Sequence, residues 1–153
     1  MNGSKIITAN NEYKKWIADV KRLIKSTQIK ASIAVNEEML ELYWSIGHDI
    51  SEKQLDSKYG SKFFETLSAE IKADYPNAQG FSVTNLKYMK RFYLFYKEIR
   101  HQLGDEFESR IFTIPWRHHI EIFTRSKSTE EALFFIEKTK QNGWSRAMLI
   151  NMM

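Results

Sequence analysis

Only two prolines and six glycines interrupt 153 residues, so few positions force the backbone to turn. A many-stranded β-protein needs frequent turns, and this scarcity favours long helices instead. The apolar spacing agrees. Tyr13, Trp16, Ile17, Val20, Leu23 and Ile24 recur at three, four and seven, which predicts a helix from about Asn11 to Ser26 with Lys14, Lys15, Lys21, Arg22 and Lys25 on its outer face. A second helix is expected over Ile29 to Leu55, with Ile33, Met39, Leu40, Tyr43, Trp44, Ile46 and Ile50 as its apolar members. Gly47 inside it costs about 1 kcal/mol relative to alanine, so it marks the close approach of a neighbouring helix or a kink.

After the break at Tyr59-Gly60-Ser61, the residues Phe63, Phe64, Leu67 and Ile71 repeat at helical spacing up to Tyr75, and Pro76 ends that third helix. The turn Pro76-Asn77-Ala78-Gln79-Gly80 leads to Ser82, whose hydroxyl can accept from the free amides of a new first turn. In the helix that follows, to Arg100 or Leu103, the residues Leu86, Met89, Phe92, Tyr93, Tyr96 and Ile99 fall on one arc. Lys87, Lys90 and Arg91 gather opposite them. One face calls for a core, and the other is solvated or meets something negative.

Beyond a polar, acidic loop from Gly104 to Ser109, the segment 110–114 alternates polar with apolar and can be read as one short strand. Pro115-Trp116 then begins another helix that packs Trp116, Ile120 and Phe123 inward. Ser128-Thr129-Glu130-Glu131 has the spacing of a capping box ahead of Ala132 to Ile136, and Gly143 can supply the left-handed residue that stops that helix. Ser145 caps a further start so near the end of the sequence that the polypeptide is expected to continue. The expected fold is therefore all-α, a single domain over residues 1–153 of six or seven helices with a helix-turn-helix-like pair at its centre.

With 42% hydrophobic and 14% aromatic residues the chain can bury a substantial core. No cysteine is present, which removes disulfides, thiolate metal sites and cysteine nucleophiles. No run approaches the roughly 18–20 apolar residues of a membrane span, and the N-terminus lacks a signal-peptide core, so a cytoplasmic protein without membrane contact is expected. The formal net charge of +4 is unevenly spread: residues 1–30 carry +5, residues 31–86 carry −5 and residues 87–101 carry +4. The remainder balances.

Catalytic patterns are missing. Adjacent His118 and His119 point about 100° apart on a helix and cannot share an ion, so no metal site is expected, and no cofactor fingerprint occurs. Glu37, Glu38 and Glu41 have the look of an exposed helix face. No enzymatic role is expected of this chain. The positive constellation is the pair of helices over Ser61 to Arg100, in which Ser82, Thr84, Asn85, Lys87 and Arg91 occupy the positions that DNA-reading motifs present to a major groove, with Lys90 beside them on the basic face as a phosphate contact. Pro76 and the long turn depart from that pattern. An ordinary helical hairpin with solvated cations stays open beside it.

Five separated motifs resemble a known family. Leu42-Tyr43-Trp44-Ser45-Ile46-Gly47, Gly80-Phe81-Ser82 with Asn85-Leu86-Lys87-Tyr88-Met89, Phe92-Tyr93, Ile114-Pro115-Trp116-Arg117-His118-His119 and Gly143-Trp144-Ser145-Arg146 are similar, in order and spacing, to the N-terminal domain of the YhcG-type bacterial proteins. The resemblance covers roughly residues 13–150, with Tyr59-Gly60 where the family usually has Trp-Gly. It implies a helical domain suspected of binding DNA, followed in the whole protein by a nuclease domain of the PD-(D/E)XK type. The acidic residues of that nuclease have no counterpart here, so no catalytic residue is carried over. Arg117, His118 and Arg146 are less easily explained by packing than the aromatic motif residues, and join the basic helix as candidate phosphate contacts. DNA and the nuclease domain are the expected partners. The competing reading is a module that docks that nuclease domain or forms a homo-oligomer.

Overall fold

The computed structural model describes residues 10–153, and of residues 25–35 the backbone only. Among the described residues it is all-α. The order is α1 (Asn11–Glu52), α2 (Leu55–Tyr59), α3 (Phe63–Asp74), α4 (Val83–Leu103), a 3-10 turn (Gly104–Glu106), α5 (Phe107–Ile111), α6 (Trp116–Arg125), α7 (Thr129–Asn142) and α8 (Arg146–Met152). None of these helices is long and apolar enough to cross a membrane.

Two expected helices fall within the single element α1, and the boundary expected between them, at residues 27–28, lies where side chains are outside the description. The two arms of α1 nevertheless lie side by side. Trp16 Nε1 donates to Asp49 Oδ2 at 2.7 Å across 33 positions, whereas a straight helix would hold the two about 50 Å apart. The N-terminal arm is tied further along the chain as well, by Lys58 to Glu12 at 2.5 Å and by Lys21 to Asp74 at 2.8 Å.

Helix α4 is the axis of the core. All six residues of its expected apolar arc, Leu86, Met89, Phe92, Tyr93, Tyr96 and Ile99, are buried. Phe92 stands among Trp44, Trp116 and His119, with ring centroids 5.6, 5.2 and 5.3 Å away. Burying a side chain of this size contributes about 2–3 kcal/mol. Gly47 marks a close approach: a Cβ there would lie 2.1 Å from the carbonyl oxygen of Met89.

The caps follow the sequence. Ser82, Ser128 and Ser145 each accept from the backbone amide three residues on, and Gly143 takes φ 59° to end α7. Two segments differ from expectation. The loop expected over Gly104 to Ser109 is a 3-10 turn running into α5, because Phe107 is drawn fully into the core beside Trp44. The alternating segment 110–114 is the end of α5 and a turn instead of a strand. The carbonyls of Phe112 and Ile114 accept from the Asn36 side chain, at 2.8 and 3.2 Å, so a side chain does there what a neighbouring strand would have done.

Candidate nucleic-acid interface

The connection from α3 to α4 spans residues 75–82, longer than the three or four residues of a DNA-reading helix-turn-helix. Its course is set by Gly80 and Asn85. Gly80 has φ 95° and passes so close to Tyr43 that a Cβ would lie 2.1 Å from the phenol oxygen. Only glycine satisfies both conditions. Asn85 Nδ2 donates to the Gly80 carbonyl at 2.6 Å, and its Oδ1 accepts from Trp116 Nε1 at 2.8 Å. One amide thus joins the turn, the first turn of α4 and the start of α6.

That junction forms one wall of an open cleft of about 610 Å³. Ser82 and Asn85 from α4, Arg117 and His118 from α6, and Arg146 from α8 line it, with Met39 and Tyr43 of α1 on another side. Five of the nine residues singled out from sequence therefore come together. Among the described residues no carboxylate lines the cleft, and the first turns of α4 and α6 contain no acidic residue. Their leading amides have no intrahelical acceptor, so both helix ends bring partial positive charge to the cleft.

The cations of the cleft are held differently. Arg117 is exposed, and its guanidinium forms no ion pair or hydrogen bond among the described residues. Arg146 donates to Glu121 Oε1 from Nη2 at 2.9 Å, and Arg125 donates to the other oxygen at 2.6 Å. Glu121 is only 6% exposed; burial raises its pKa, but the hydrogen bonds and charges of the two arginines outweigh this and hold the carboxyl below its usual range. Two cations share one anion, leaving that group of three net positive. His118 donates from Nε2 to the Trp144 carbonyl at 2.9 Å, tying α6 to the corner before α8.

The other four named residues lie elsewhere. Lys87, Lys90 and Arg91 are about 120–160° from Asn85 around α4. Thr84 is exposed one position before Asn85. Lys90 pairs with Asp56 at 2.5 Å. Lys87 and Arg91 stand 5.7 and 5.8 Å from the ring centres of Phe64 and Phe123. The basic face of α4 and the cleft are thus separate features.

Sequence reasoning missed two participants, and misplaced one carboxylate outside the cleft. Asn36, which lines the cleft, sits in α1 with no local signal. Glu121 has the four-residue spacing to Arg125 of a helical ion pair, but its burial depends on α8. Glu41, expected on an exposed face, is half-buried and pairs with Arg100 at 3.4 Å; burial pushes its carboxyl up. Among the described residues no three of His, Asp and Glu come together as a metal site.

The family model for the DUF1016 N-terminal domain matches residues 19–153. The chain belongs to that family. The match spans all five motifs that resembled the YhcG-type proteins, and the DUF1016 N-terminal domain is the same grouping. No curated protein and no solved structure matches the chain. In this DUF1016 N-terminal domain the quoted motifs sort by location: the Tyr43, Gly80, Asn85 and Trp116 motifs build the wall of the cleft, whereas Phe92-Tyr93 lies in the core beneath it.

Proposed function

We propose that this domain binds DNA through its phosphates, as the targeting part of a nuclease-family protein, and that the cleft between α4, α6 and α8 is the principal contact. The observation that supports it is the cleft's charge: two helix N-termini and two arginines face a concavity with no carboxylate in its lining. Such helix ends are ready-made anion sites, and arginine matches the geometry of a phosphate. Lys87 and Arg91, around the same helix, serve as outer contacts for a strand that runs past the cleft. The partner domain is the nuclease that the family resemblance implies.

The test is a titration of labelled DNA across salt concentrations. Each phosphate neutralised contributes about −0.9 to the slope of log affinity against log salt, so Arg117→Ala should flatten the slope by about 1. Lys87→Ala with Arg91→Ala should flatten it further. If affinity does not fall with salt, or if Arg117→Ala and Arg146→Ala together leave the slope unchanged, the reading is wrong.

A second reading has one observation in its favour. Met148 and Met152, one turn apart on α8, are 46% and 53% exposed, an apolar edge suited to docking the nuclease domain or a second copy. Light scattering that shows a stable dimer, together with absence of DNA binding, would favour it.

A further inference from the structure

The shape of the cleft says which form of DNA it can take, an inference that rests on the phosphate-binding reading. Proteins that read duplex DNA with a helix insert a protruding helix into the major groove, with free polar side chains on its first turn. Here Ser82 and Asn85 at the start of α4 form part of the cleft wall, and their polar side chains are already committed. Ser82 is engaged with the Asn85 amide at 3.1 Å, and both ends of the Asn85 side chain are spent on Gly80 and Trp116. A concavity cannot enter a groove; something must enter it.

Its volume of about 610 Å³ is that of a pocket receiving a small ligand, the size class of a nucleotide rather than a double helix. The lining is two-sided in character. Arg117 and Arg146 offer cations, while Pro115, Met39 and Ile120 offer apolar surface that is still partly or fully exposed. A nucleotide of an unpaired strand has the matching halves, an anionic phosphate and a flat base with an apolar face. In a duplex the base faces are already stacked, so of these two halves only the phosphate remains available.

We propose that the cleft of this domain holds single-stranded DNA, with a phosphate on Arg117 and a base against Met39, Pro115 and Ile120. Arg117 has no competing protein partner among the described residues, so it is the first contact. Arg146, held by Glu121, is the second.

The experiment compares one labelled oligonucleotide, unpaired and annealed to its complement, by fluorescence anisotropy with the whole chain. The unpaired form should bind about tenfold tighter, the effect expected of one or two stacked bases. Arg117→Ala, at an exposed position that does not threaten folding, should weaken it and lower the salt slope. Met39→Ala should weaken the unpaired form without changing the slope, with circular dichroism confirming the fold. Duplex binding as tight as or tighter than the unpaired form, still dependent on Arg117, would overturn the single-strand inference and leave the phosphate reading standing. No binding of either form would overturn both. Tight unpaired binding indifferent to Arg117→Ala would place the strand elsewhere and also refute the proposal.

Discussion

Replacing Gly47 by alanine perturbs the interface between α1 and α4 at its closest point. A Cβ at residue 47 would lie 2.1 Å from the Met89 carbonyl oxygen and 2.7 Å from its carbon, whereas carbon contacts rest at about 3.5 Å or more. Both obstacles are backbone atoms and Met89 is fully buried, so neither can swing aside. The helices must part by about 1 Å, loosening Trp44 and Ile46 from the arc of α4. Overpacking of this kind costs about 1–3 kcal/mol, and a backbone obstacle puts it at the upper end. Alanine returns about 1 kcal/mol through helix propensity, which leaves a net loss of about 2 kcal/mol. For a chain of this size the Tm should fall by about 4–8 °C, measured by circular dichroism with a urea titration beside it. Gly143→Ala is the control: φ there is 59° and ψ 39°, the left-handed region, with nothing within 4 Å, so it should cost about 1 kcal/mol through backbone strain alone. A Gly47→Ala protein as stable as the wild type would refute the close approach of α1 and α4.

Asn85→Ala should cost about 3 kcal/mol in urea unfolding, because it leaves both the Trp116 indole N–H and the Gly80 carbonyl without their partner. His119 carries a pH prediction. It is fully buried between Phe92 and Tyr96, and burial, aided by the nearby His118, lowers its pKa to about 4 despite the hydrogen bond to the Ile111 carbonyl. The unfolded chain binds this proton at about pH 6.5, so the stability it contributes is present above that pH and is lost as pH falls towards 4. Between pH 7 and pH 5 the loss should be about 2 kcal/mol, and a His119→Phe protein should show a profile flatter by that amount.

Local physics made most of the helices legible. The serines at 82, 128 and 145 act through an amide three residues away, and the arc of α4 is a property of one helix, so both could be read directly. Phe107 was different: its neighbours are acidic and polar, and only the distant Trp44 explains why that segment turns inward as a helix. The alternation at 110–114 likewise misled because a strand needs a partner, and the partner found is Asn36, 76 residues from Phe112. The same division holds at the cleft. Arg117, His118 and Arg146 drew notice because packing did not account for them, but their meeting with Ser82 depends on α1, α4, α6 and α8 together.

That meeting changes where charge is available. On the outer face of α4 the Lys90 ammonium already sits 2.5 Å from Asp56, and a phosphate there would have to displace a carboxylate to gain its full attraction. Lys87 and Arg91 are partly satisfied by the faces of Phe64 and Phe123, a modest interaction that a phosphate can share without displacing it. In the cleft the balance is reversed: Arg117 has no partner to lose, and Arg146 shares its one anion with Arg125. An incoming phosphate at Arg117 gives up only water, while at Lys90 it gives up an ion pair, so the first is where binding energy is retained. The salt slope should therefore respond more to Arg117→Ala than to Lys90→Ala, although sequence alone places Lys90 in a basic block and Arg117 in a stretch whose charges balance.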